Sequence, residues 1–243
     1  MQGANSVHIP RNIHIPEGDT IMTLQHAIRA GLLLAFSTSV FAQAPAGGAA
    51  PPPADTSLSF FVTSVGLGKG ANLGGLAGAD AHCKALAEAA GTTGKTWAAY
   101  LSTTGAGGVN AKDRIGKGPW YNANGVLVAR SVDHLHYSNV LLTKANSITE
   151  KKGIVNGVGD TPNQHDILTG TNPNGTASEM TCNNWTSDSN EDNPKATVGH
   201  LDRTGGGAMA ESWNAAHASR GCSQEKLIAS GGNGYFYCFA VTE

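Results

Sequence analysis

Three histidines and two aspartates in the second half of this chain are its best candidates for chemistry. They fall in Asn163-Gln164-His165-Asp166, His200-Leu201-Asp202-Arg203 and Trp213-Asn214-Ala215-Ala216-His217. Brought together, His165, His200 and His217 could hold zinc, or one imidazole could act as general base beside Asp166 or Asp202. The spacing favours a plainer role. No His-x-x-x-His helix is present, and histidines scattered through long loops more often hydrogen-bond backbone groups and hold those loops in place. Asp133-His134-Leu135-His136 is weaker still. The sequence therefore predicts no metal ligand, no catalytic residue and no cofactor.

Other chemical motifs fail on spacing. Asp188-Ser189-Asn190-Glu191-Asp192-Asn193 sets oxygen ligands at alternate positions, as a calcium loop begins. An EF-hand would then need glycine and glutamate where Asn193 and Gly199 stand, so a solvated acidic turn is the expectation. Gly66-Leu67-Gly68-Lys69-Gly70 lacks the glycine spacing and the hydroxyl of a P-loop. Neither a Gly-x-Ser-x-Gly elbow nor a dinucleotide fingerprint occurs. The expected class is a binding protein and not an enzyme.

Four cysteines, Cys83, Cys182, Cys222 and Cys238, lie downstream of an export signal. Residues 22–42 place a sparse basic start (His26, Arg29) before an apolar run, Ala30 to Phe41, and a small-residue junction ending at Ala42. That run is too short to span a membrane, which takes about 20 apolar residues. Met22 reads as the true start and residues 1–21 as an over-extended frame. A secreted or periplasmic location makes disulfides plausible, and four cysteines permit three pairings. The formal net charge of −2 offers no basic surface for nucleic acid or an anionic membrane.

Residues 43–57 (QAPAGGAAPPPADTS) are a proline-, alanine- and glycine-rich tether, too poor in apolar surface to order itself. The folded domain is expected over 58–243. Leu58–Val65 predicts an opening strand. Ala79 to Ala90 predicts a helix with Cys83, Leu86, Ala87 and Ala90 on one face, Asp80 in its first turn and Gly91 as its stop. Further strands are expected at Thr96–Ser102, Val126–Ala129 and Gly234–Val241. Gly153 to Gly234 is rich in turn-formers and reads as a long irregular stretch, ordered by Trp185 and Trp213.

A family resemblance rests on the order of these segments. Gly74-Gly75-Leu76-Ala77-Gly78-Ala79-Asp80-Ala81-His82-Cys83 is followed by Trp97-Ala98-Ala99-Tyr100-Leu101-Ser102, then Thr171-Asn172-Pro173-Asn174-Gly175, Cys182-Asn183-Asn184-Trp185, Cys222 and Tyr235-Phe236-Tyr237-Cys238. This order resembles the endostatin domain of certain collagens, within the C-type-lectin-like fold, and bacterial secreted lectin-like domains. The resemblance implies an α+β fold with a twisted antiparallel sheet, flanking helices, long ordered loops and nested bridges Cys83–Cys238 and Cys182–Cys222.

Its functional motifs do not carry over. Endostatin's zinc uses histidines near the N-terminus of its domain, and residues 43–81 contain none. The carboxylates of the usual calcium-dependent sugar site are missing from Asn172-Pro173-Asn174 and Trp213-Asn214-Ala215. The resemblance implies a lectin-like module binding carbohydrate or a cell-surface glycan without that calcium motif. An adhesive, protein-binding role is the alternative, and a metal-dependent hydrolase using the loop histidines comes last. Planar polar groups and an aromatic platform would come from Asn163, His165, Asp166, Asp202, Trp213, Asn214 and His217. Trp185 is expected in the core, while core and surface both stay open for Trp213.

Overall fold

A computed structural model describes residues 53–139, 141–207 and 209–242, all within the compact unit Pro52–Glu243. The expected export signal and most of the expected tether lie outside the described residues. In chain order the elements are β1 (Phe60–Val62), α1 (Gly75–Ala89), β2 (Trp97–Ala99), β3 (Trp120–Tyr121), β4 (Leu127–Ala129), α2 (Val132–Tyr137), β5 (Asp166–Leu168), α3 (Cys182–Trp185), β6 (Thr197–His200), β7 (His217–Ala218), α4 (Gln224–Ser230) and β8 (Gly232–Ala240). The class is α+β. No helix among the described residues is long and apolar enough to cross a membrane.

The terminal strand β8 organises everything else. Its side chains alternate between two cores, as a period of two requires. Phe236, Cys238 and Ala240 face a cluster with Phe61, Leu86, Trp97 and Trp185. Tyr235, Tyr237 and Phe239 face another with Phe60, Tyr100, Trp120 and Trp213. Burial on both sides makes β8 a central strand: it pairs antiparallel with β1 and β2 and parallel with β5. The sheet continues β5-β6-β7 by antiparallel pairing. It is therefore mixed, a correction to the antiparallel expectation, because the link from β5 back to β8 is long enough for a crossover.

Residues 153–234 are also less irregular than expected, since β5, β6, β7, α3 and α4 all fall there. These elements are short, and the turn-formers between them hide their apolar pattern. Both nested bridges form, Cys83–Cys238 and Cys182–Cys222. The second anchors an unusual backbone: Cys182, Asn183, Asn184 and Trp185 take φ of 48°, 54°, 55° and 66°, in the left-handed region that costs L-residues roughly 1–2 kcal/mol each. The buried indole of Trp185, whose Nε1 donates to Ser102 O at 2.7 Å, helps to hold it.

Helix α1 begins at Gly75, earlier than expected, so Asp80 lies well inside it. The Asp80 carboxylate instead joins α1 to β2: Oδ1 accepts from Ala99 N at 2.8 Å and Oδ2 pairs with Arg114 at 2.7 Å. Arg114 also donates to Ala99 O. Asp80→Ala strands this half-buried guanidinium and should cost about 2–3 kcal/mol, a fall of roughly 5–10 °C in thermal midpoint. A shift under 2 °C in a melting scan would show that the clamp contributes little.

Candidate metal centre

Strand pairing places the ligand set. Asp166 opens β5 and sits opposite His200, the last residue of β6, while His217 of β7 faces Val198, two residues before His200. Three adjacent strands thus bring their chemistry to one end of the sheet. His165 precedes Asp166, and its ring stacks on His200 with centroids 4.2 Å apart and planes 16° from parallel. Glycines make the room. A Cβ at Gly205 would lie 3.0 Å from His165 Cε1 and 3.3 Å from His200 Cε1. One at Gly232 would lie 3.0 Å from Asp166 Cβ.

All three imidazoles turn Nε2 toward the same carboxylate oxygen. Asp166 Oδ1 lies 3.2 Å from His165 Nε2, 3.4 Å from His200 Nε2 and 3.4 Å from His217 Nε2. The Nδ1 atoms are already engaged. Nδ1 of His165 lies 3.0 Å from Asp202 Oδ1, that of His200 2.8 Å from Ala210 O, and that of His217 3.0 Å from Ala218 O. Carbonyl and carboxylate oxygens only accept, so in each ring Nδ1 carries the proton and donates. In a neutral imidazole Nε2 is then a lone pair, and here it points at an anion. Geometry agrees: neither oxygen of the buried Asp166 carboxylate, nor His200 Nε2, makes a hydrogen bond.

Electrostatics ease this conflict at His217. Burial pushes the Asp166 carboxyl up, but the His200 and His217 imidazoles prevail and hold it below its ordinary range. Asp202 is likewise opposed by burial and held well below that range by His165 and the Val158 and Thr204 amides. Asp166 in turn raises His217 above the usual imidazole value, against the opposing effect of burial. His217, with 30% of its side chain exposed, is the ring able to take up a proton.

A single divalent cation would resolve the contacts of His165, Asp166 and His200, whose donor atoms lie within 4.8 Å of one another; His217 reaches the same oxygen from outside that set. Ligands at about 2.0–2.1 Å from tetrahedral zinc stand about 3.3 Å apart, which matches the three nitrogen–oxygen separations. Each imidazole also has the second hydrogen bond that fixes tautomer and ring plane in metal-binding histidines. Nitrogen-rich donors suit zinc or a neighbouring transition metal, whereas calcium and magnesium take oxygen.

The other expected site residues have different fates. Asp202 orients His165 without reaching the cluster's centre. Asn163 accepts from His165 N at 3.3 Å and shapes the approach to β5. Trp213 and Asn214 are only 4% and 1% exposed, so the aromatic platform expected of them is not at the surface. Trp213 Nε1 donates to Leu135 O. Asn214 Nδ2 reaches Tyr100 Oη, Thr171 Oγ1 and the carbonyls of Asn172 and Pro173. Both pin loops from beneath. The acidic turn forms no ligand set either, because Asp192 pairs with Lys226 at 2.8 Å. His136 accepts from Tyr100 Oη at 2.6 Å and is structural.

His200 was the ligand that expected sugar contacts left out. Its signal lay in the short Thr197-Val198-Gly199-His200 alternation, which puts Val198 and His200 on one face. No curated protein matches the chain. The model of one family covers residues 67–203, which hold His165, Asp166, His200 and Asp202 but stop short of His217. With more than half of its length matched, this chain belongs to the family described as "Protein of unknown function (DUF1554)".

Proposed function

We propose that this chain is an exported binding module, C-type-lectin-like in fold, whose sheet is clasped by zinc held by His165, Asp166 and His200, with His217 beside them. The observation that carries the metal is the buried Asp166 carboxylate, unpaired and faced by three imidazole Nε2 atoms. The donor atoms of His165, Asp166 and His200 lie within 4.8 Å of one another, so a cation there would tie β5 to the end of β6, with His217 of β7 beside it on the same Asp166 oxygen. The nested disulfides support folding in an oxidising compartment.

Untagged protein, purified without chelator and analysed by mass spectrometry, should carry one zinc per chain near neutral pH. Retention should fall as the solution is acidified, because imidazoles must be neutral to bind metal and protonated His217, favoured by Asp166, competes with the cation for the same carboxylate oxygen. Protein free of metal even after zinc addition would leave the His217 imidazolium–Asp166 pair as the explanation of the cluster and remove the proposal.

A further inference from the structure

The turn that follows β6 serves two faces. Asp202 reaches inward to His165, and the next residue, Arg203, lines a shallow cleft of about 270 Å³ with Leu135, His136, Tyr137, Ser138, Asn139 and Trp213. Arg203 holds φ of 56°, a left-handed backbone that glycine would adopt without cost. Its Nη1 donates to Asn139 O at 2.7 Å. That carbonyl is itself fixed, since the Asn139 side chain accepts from Leu141 N and Leu142 N and donates to Val128 O. Among the described residues no carboxylate lies within 4.0 Å of the guanidinium, and none lines the cleft.

The remaining lining decides what the cation is for. Both ring nitrogens of His136 are used, by Tyr100 Oη and Val132 O, and burial pushes its pKa down. Arg203 is therefore the cleft's fixed charge. Beside it Tyr137 is 68% exposed, its ring tilted against His136 with centroids 6.4 Å apart, and Ser138 is exposed as well. A planar fork that accepts a carboxylate, an open ring face for C–H groups and a nearby hydroxyl suit an acidic sugar ring. The volume is below the roughly 300–1,000 Å³ of drug-sized pockets, so it takes one ring.

We infer that the Arg203–Tyr137 cleft binds a uronic acid residue, the carboxylate on Arg203 and the ring face on Tyr137. This rests on the binding-module reading above but not on its metal. The test is a titration of zinc-loaded, isotope-labelled protein with glucuronate and galacturonate, with glucose, galactose and acetate as controls, followed by amide shifts. Uronates should shift residues 135–139 and 203, with neutral sugars and acetate at least ten-fold weaker. Arg203→Gln should weaken uronate binding roughly ten- to hundred-fold, as loss of charge-assisted hydrogen bonds does. Arg203→Lys should restore part of it, and Tyr137→Ala should weaken it several-fold. Zinc content and melting temperature measured on each variant separate this from damage to the fold. Equal binding of neutral sugars, acetate binding as tightly as uronate, or no uronate shift in a protein with stoichiometric zinc would overturn the cleft while leaving the metal centre standing. Protein lacking zinc that still bound uronate through Arg203 would do the reverse.

Discussion

Asp166→Asn should abolish the stabilisation that zinc brings to this domain. With zinc available the variant loses a charged ligand, and affinity should fall by at least about 100-fold, beyond the loss that removal of a supporting group brings. Wild-type protein with zinc a thousand-fold above its dissociation constant gains about 4.1 kcal/mol, so chelation should lower its midpoint by roughly 8–16 °C. The variant should barely respond. In chelator the variant should still be the less stable of the two, since the fold holds the Asp166 carboxyl below its ordinary range and so favours the charge that asparagine removes. His200→Ala should lose the zinc response equally. Were Asp166 merely the partner of a protonated His217, wild-type protein would not respond to chelator either, and differential scanning fluorimetry with and without chelator decides between them.

Replacing both cysteines of the outer bridge by serine should have the next largest effect. Cys83 and Cys238 are 155 residues apart, and Cys182 and Cys222 are 40 apart. Loop closure in the unfolded chain gives about 5 kcal/mol for the outer bridge and about 4 kcal/mol for the inner. Domains carry only about 5–15 kcal/mol in total, so the outer double variant should fold marginally at 37 °C. The inner variant should remain folded but loosen the left-handed turn at Cys182–Trp185. Urea midpoints of the two variants check the order. Equal and small losses would mean that the two cores hold the chain without the bridges.

Much of the scaffold could be read in the residues because its signals are local. The helix around Cys83 showed apolar spacing and a stopping glycine, Gly91, which does take φ of 88°. The terminal strand showed an unbroken aromatic run. The candidate metal cluster was legible as a set of residue types but not as a site. Asp166, His200 and His217 stand on strands of two to four residues, too short for a period to emerge among glycines and asparagines. Their convergence follows from pairing between β5 and β6 and between β6 and β7, which no local pattern encodes. Trp213 shows the opposite limit. Beside Asn214 it had the composition of a sugar platform, but its indole meets Tyr100 and Tyr237 instead of solvent.

The central place of β8 has a consequence for biosynthesis. The strands β1, β2 and β5 all precede Gly232–Ala240 yet hydrogen-bond to it, and both cores close on its side chains. Strands β5, β6 and β7 can pair before it is made, but β1 and β2 must wait for it to gain their place in the sheet. Deleting Gly232–Ala240 would therefore strand the earliest-made strands and leave both cores open.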